Sequence, residues 1–213
     1  MRTFVINLDS HPSRWEKFRN TEYIRHRATP RQEVPEFMDK KVFSRHNTRR
    51  EFHLGKCGCL TSHLSVLIHI VDSRYDSPSL ILEDDAVIDA TCSPLKDSYP
   101  RDHFIYLAGF FHNKMMSSSD IPAGIPRVQG LNKIDKNLFR IICLQAYVIP
   151  NWEVADKILN HYKSLPRWRA ADIMITDVPV PMLYQYPACF IEDSVESSIT
   201  KKTKFSDAFY VRK

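Results

Sequence analysis

The apolar run Leu80-Ile81-Leu82 ends directly in three carboxylates, Glu83-Asp84-Asp85. A run this short and apolar reads as a buried strand, and the charges that follow it must stand where the strand leaves the core. Residues 3–8, 104–107 and 139–149 read as further strands, and stretches with helical features alternate with them. Residues 9–13 form a turn with helix-capping residues, and 13–19 look like a helix start. Leu60, Leu64, Leu67, Ile68 and Val71 make a helical stripe with Thr61 or Ser62 as its cap. Pro150-Asn151 caps a second stripe of Val154, Ile158, Leu159 and Tyr162. Residues 170–175 suggest a short helix and 181–191 an edge or exit strand. This alternation predicts an α/β fold, a central mostly parallel sheet flanked by helices on both faces.

With 213 residues and no linker or repeat, one domain over 1–213 is expected, with a flexible basic tail from about 200. A hydrophobic fraction of 43% supplies a substantial core. The net charge of +5 is too weak to argue for nucleic acid. Residues 20–56 are basic, aperiodic and broken by Pro30 and Pro35, and Arg25, Arg27, Arg31, Arg49 and Arg50 there read as a solvated face. The chain has only five glycines, and neither G-x-G-x-x-G nor G-x-x-x-x-G-K-[ST] can be drawn through them. Any phosphate must be held another way. No stretch approaches 18 apolar residues, and the first apolar run is too short for a signal-peptide core. Five cysteines in mostly apolar surroundings are expected to be reduced thiols of a soluble, cytoplasmic protein.

In an open α/β sheet, ligands collect beyond the carboxyl ends of the strands. In extended backbone, Glu83 and Asp85 project to one side. Carboxylates converging on one point repel unless a cation sits between them. Manganese or magnesium typically takes one or two carboxylates plus substrate phosphates, which suits a diphosphate held by metal. The triplet also reads as an inert acidic turn. His53, Cys57, Cys59 and His63 were weighed as a zinc site, but their spacings do not match the usual C-x₂₋₄-C pairs.

Several pieces in order carry a resemblance: Val5-Ile6-Asn7-Leu8 followed by Arg14, then Gly55-Lys56-Cys57-Gly58-Cys59-Leu60-Thr61-Ser62-His63, then Leu82-Glu83-Asp84-Asp85. Ala146-Tyr147-Val148-Ile149, Ala170-Ala171-Asp172 and Tyr186-Pro187-Ala188 continue it. Together they resemble glycosyltransferase family 25, with its "INL…R" strand and turn, "G-x-x-G-C-x-x-S-H" stretch, "LEDD" motif and later acid. Lys56 stands where the family often has Glu, and Trp15 replaces a second Arg.

The resemblance implies a GT-A-type nucleotide-diphospho-sugar transferase domain that binds manganese or magnesium. It implies inverting transfer of a hexose, galactose by default, from a UDP-sugar to a glycan or glycoprotein hydroxyl. Position by position, Asp85 is the first choice of metal ligand with Glu83 also a candidate. Asn7, Leu8, Arg14, Ser62, His63 and Asp84 match donor-binding positions, with Ser62 and His63 at a helix start. Such a transfer needs a base for the acceptor proton and a cation for the departing diphosphate. Asp172 is the expected base, ionised by the positive end of its helix, or else simply a cap. Asp193 or Glu192 is the second candidate. His63 is equally a structural histidine at the edge of an apolar face, and Arg14 a phosphate clamp or a solvent-facing arginine. The loop of residues 112–138 is expected to close over the donor. A silent nucleotide-binding module and a metal-dependent phosphate-ester hydrolase are the rival readings.

Overall fold

A computed structural model describes residues 1–19, 21–42, 49–88, 99–113, 128–186 and 188–192. The chain opens with strand β1 (Arg2–Asn7), the short helix α1 (Pro12–Glu16) and strand β2 (Ile24–Arg27), then helices α2 (Glu36–Lys41) and α3 (Arg50–Asp72). Strands β3 (Ser79–Glu83), β4 (Ala86–Ile88), β5 (Phe104–Tyr106) and β6 (Phe110–Asn113) follow. Next come β7 (Gly130–Lys133), β8 (Phe139–Ile142) and β9 (Ala146–Ile149). Helices α4 (Trp152–Ser164) and α5 (Ala171–Asp177) and strands β10 (Met182–Tyr186) and β11 (Phe190–Glu192) complete it.

Seven strands form the central sheet in the order β2-β1-β3-β9-β5-β10-β7. β2, β1 and β3 run parallel, as do β5 and β10, while β9 and β7 run against their neighbours. Five of the seven strands therefore share one direction, the mostly parallel α/β sheet read from the sequence. β1 and β3 are buried on both sides because they lie inside the sheet, so their sequences are apolar without alternation. Phe4, Ile6 and Ile81 point into one core with Leu60, Leu67 and Ile70 of α3 and Ile158 and Tyr162 of α4. Val5, Leu80 and Leu82 point into the other, closed by Phe18, Tyr99 and Phe190, with Trp15 packed against it. The long helices thus cover one face, and α1 with the β4–β11 ribbon covers the second.

Several local expectations change. Residues 20–56 are not aperiodic coil: they hold β2, α2 and the first turns of α3. α3 begins ten residues before Leu60, at Arg50, so Thr61 and Ser62 do not cap it. Inside the helix their hydroxyls donate to the carbonyls of Cys57 (2.8 Å) and Gly58 (2.7 Å), one turn back. Packing overrode the poor propensity of two glycines. Gly58 sits where a Cβ would stand 2.6 Å from the Thr29 carbonyl oxygen, so the loop after β2 crosses α3 there. At the other end Arg74 adopts φ 49°, and Tyr75 N–H and Arg74 N–H donate to Ile70 and Val71 carbonyls, a Schellman termination. By length and composition α3 could cross a membrane, but half of its most apolar window is buried against the protein.

The run 139–149 breaks into β8 and β9 at Cys143, which turns with φ 70°. β10 is no edge strand, since β5 and β7 pair with it on either side. Asn151 caps α4 as expected, its Oδ1 accepting the Val154 N–H at 3.0 Å. Cys57, Cys59 and Cys143 are free thiols, but Cys189 is disulfide-bonded, so the five cysteines are not uniformly reduced. The 112–138 segment is not all loop, since β7 within it joins the central sheet, while 114–127 and the tail from about 200 lie outside the described residues.

Candidate active site

β1 lies between β2 and β3, so the connections after β1 and after β3 run toward opposite edges of the sheet, and the crevice at the carboxyl ends of these strands is a switch point. A cavity of about 700 Å³ opens there. It is lined by residues 8–11 and Arg14 after β1, residues 27–33 after β2, and Glu83, Asp84 and Asp85 after β3. Gly55, Cys59, Ser62 and His63 of α3 complete the lining. Its size falls within the usual range for small-molecule sites.

Asp84 is held from two sides. Asn7 Nδ2 donates to its Oδ2 at 2.8 Å, and Arg14 Nη1 donates to its Oδ1 at 3.1 Å. Asn7, fully buried, also donates to the His11 carbonyl (3.1 Å) and accepts from Arg25 Nε (2.9 Å). It therefore ties β1, β2 and β3 together behind the cavity instead of lining it. Arg14 does line it, only slightly exposed. Leu8 packs on the core and borders the cavity. Of the triplet, Glu83 and Asp85 also line the cavity, as do Asp9 and Glu33, and carboxylate oxygens there suit a divalent cation.

His63 is buried in the middle of α3, not at a helix start, and sits between two oxygens. Its Nε2 lies 3.0 Å from Glu83 Oε1 and its Nδ1 2.9 Å from the Tyr147 hydroxyl. The carboxylate can only accept, so Nε2–H donates to Glu83 and Tyr147 donates to Nδ1. Burial pushes the Tyr147 phenol far above its ordinary value and keeps that proton in place. Ser62 Oγ accepts the Thr29 N–H at 2.8 Å, pinning the loop after β2 to α3.

Asp172 lies in the first turn of α5, where Ala170 is the N-cap, so it is not the cap. Its Oδ2 accepts the Cys143 N–H at 3.2 Å and its Oδ1 the Ile173 N–H at 2.8 Å. It does not line the cavity, though it interacts electrostatically with Glu83 and His63. Burial raises its pKa, against the Cys143 and Ile173 N–H donors, which act to lower it. Asp193 lies outside the described residues, and Glu192 is described only as the last residue of β11.

The sequence reading missed the basic rim. Arg27 and Arg31 line the cavity instead of a plain solvated face. Arg27 bridges Asp9 (2.6 Å) and Glu33 (2.7 Å), and Arg25 reaches Asp9 at 2.7 Å. Arg27 and then Arg25 hold the Asp9 carboxyl below its usual range. The four weighed zinc residues divide into two pairs: His53 lies 3.6 Å from Cys57, bonded to Asp39, while Cys59 and His63 face the cavity.

A family model described as glycosyltransferase family 25 (LPS biosynthesis protein) matches residues 1–175 of the 213. The match takes in β1, α3, the acidic triplet and Asp172, and ends within α5. A search of curated proteins finds no match. Residues 1–175 cover most of the chain and every described residue that lines the cavity, and on that match the chain belongs to glycosyltransferase family 25.

Proposed function

We propose that this glycosyltransferase moves a hexose, galactose by family default, from a UDP-sugar to a hydroxyl of a glycan or glycoprotein acceptor, with inversion. The observation that carries the reading is the division of labour in the acidic triplet. Asp84 is locked by Asn7 and Arg14, while Glu83 and Asp85 line the same cavity as Arg14, Arg27 and Arg31. A nucleoside diphosphate needs cations on one side and a metal platform on the other, and this cavity offers residues for both.

Glu83 and Asp85 would hold manganese or magnesium, which when bound draws negative charge off the departing diphosphate. The chain's own residues then bind and orient. Arg14, Arg27 and Arg31, each paired to a carboxylate here, line the cavity, and a guanidinium with its five N–H groups can donate to a phosphate oxygen alongside such a pairing. Asp172 is the proposed base, a role that requires the acceptor hydroxyl to reach its carboxylate, which stands outside the cavity lining. A buried carboxylate with a raised pKa is better matched to a hydroxyl proton than an exposed one, and each oxygen keeps a lone pair beside its backbone bond.

Calorimetry with a panel of UDP-sugars, with and without manganese, tests the donor and the metal, followed by UDP release on the tightest ligand with acceptor present. The expected result is binding that manganese strengthens and that Asp85→Ala reduces to the metal-free level. Equal binding with and without metal in both proteins would overturn the metal platform. Binding without turnover would favour the silent module, and acceptor-independent UDP release the hydrolase.

A further inference from the structure

Cys59 and His63 stand one turn apart on α3, so both project from the same face toward the end of β3. There they meet Glu83. The Cys59 sulfur, a His63 ring nitrogen and a Glu83 carboxylate oxygen all lie within 4.8 Å of one another. The His63 Nε2–Glu83 Oε1 separation of 3.0 Å is already close to a tetrahedral edge, which for zinc bonds is about 3.3–3.6 Å. All three residues line the cavity. We propose that Cys59 Sγ, His63 Nε2 and Glu83 Oε1 form a three-ligand site for a zinc-type cation, with its fourth position open to the cavity.

The donor set is one thiolate, one imidazole and one carboxylate, which suits zinc and not a hard cation that prefers oxygen alone. Three protein ligands and an open position are the arrangement of exchangeable zinc sites, and a phosphate or water oxygen fits the fourth place. Burial, and after it the carboxylates of Glu83, Asp172 and Asp85, push the Cys59 thiol well above its ordinary value, so a cation bound there must displace the thiol proton. The outer contact is present too. When Nε2 takes the metal, the ring proton moves to Nδ1 and donates to the Tyr147 oxygen 2.9 Å away, while the hydroxyl rotates its own proton off that nitrogen, and the bond fixes the ring. The thiol proton goes to solvent, so one proton leaves per ion bound. Glu83 is shared with the proposed manganese or magnesium position, so the two ions exclude each other.

This inference goes beyond the transferase reading and stands without it, because its test contains no nucleotide. The full chain, stripped of metal with a chelator, is titrated with cobalt(II), which takes zinc sites and reports their ligands optically. The expected result is one equivalent bound, with a thiolate-to-cobalt charge-transfer band in the near ultraviolet that zinc bleaches. Cys59→Ser should remove the band, Cys57→Ser should leave it, and Tyr147→Phe should weaken zinc binding about tenfold. No band, or a band that survives Cys59→Ser, overturns the site. Should Cys59→Ser fail to fold, X-ray absorption of the zinc-loaded wild type decides: one sulfur neighbour at about 2.3 Å is expected, and a shell of nitrogen and oxygen alone refutes it.

Discussion

Asn7 works at the scale of a single amide. It donates to Asp84 and to a turn carbonyl and accepts from Arg25, so one side chain closes three polar contacts inside the sheet. Asn7→Ala leaves Asp84 Oδ2, in a buried residue, without this donor and is expected to cost about 1–3 kcal/mol, read as a lower urea midpoint. An unchanged midpoint would mean that water replaces the amide freely. Asp172 makes a different test. Its folded pKa is raised, chiefly by burial, so the stability it contributes is fully present below the unfolded value near 3.8 and is lost as pH rises through the folded value. Asp172→Asn removes that loss. The melting temperature of the Asn variant, relative to wild type, should therefore climb as pH rises above the unfolded value near 3.8, whatever the fixed cost of its altered backbone contacts. A difference independent of pH would remove the raised pKa. Turnover lost while the fold stays intact would mark the carboxylate as the base; turnover kept would leave it as the acceptor that holds the Cys143 turn.

Among the elements, α3 links packing to the site. It buries Leu60, Leu67 and Ile70 on the sheet and presents Cys59 and His63 to the cavity. The loop after β2 can cross it closely because Gly58 has no side chain, and Ser62 holds that loop in place. A Cβ at Gly58 would meet a backbone oxygen at 2.6 Å, which cannot rotate aside. Gly58→Ala should thus cost about 1–3 kcal/mol by overpacking and also weaken ligand binding, since Thr29 lines the cavity. Unaltered melting and binding would show that the loop shifts without penalty. The C-terminal half of α3 was legible as an apolar stripe; its first ten residues were not. Gly55 and Gly58 lower local helix propensity, and only contact with β2's loop explains why helix persists through them.

For the molecule as a whole, the cavity at the switch point makes folding and binding one equilibrium. A ligand at a hundred times its dissociation constant adds about 2.7 kcal/mol to stability. On a chain of this size each kcal/mol is worth about 2–4 °C. UDP with manganese is accordingly expected to raise the melting temperature by about 5–10 °C, and Asp85→Ala to remove the part that depends on manganese. A shift indifferent to manganese would place the metal elsewhere. The charged lining belongs to this scale as well: Arg14, Arg27 and Arg31 gather at one opening with the carboxylates of Asp9, Glu33, Glu83, Asp84 and Asp85.

By itself the order of residues determined strands β1 and β3, because both are apolar enough to be buried on both faces, and it determined that three carboxylates stand at a strand end. It also determined the cap of α4, since an Asn before an apolar stripe satisfies a local backbone donor. Tertiary structure decided what those groups meet. Asp84 became an internal anchor because β1 and the turn after it bring Asn7 and Arg14 alongside, contacts 77 and 70 residues apart in the chain. Cys59, His63 and Glu83 became neighbours only when a helix turn and a strand end were packed together. Periodicity describes which side of an element is apolar; distance across a cavity depends on how the elements dock.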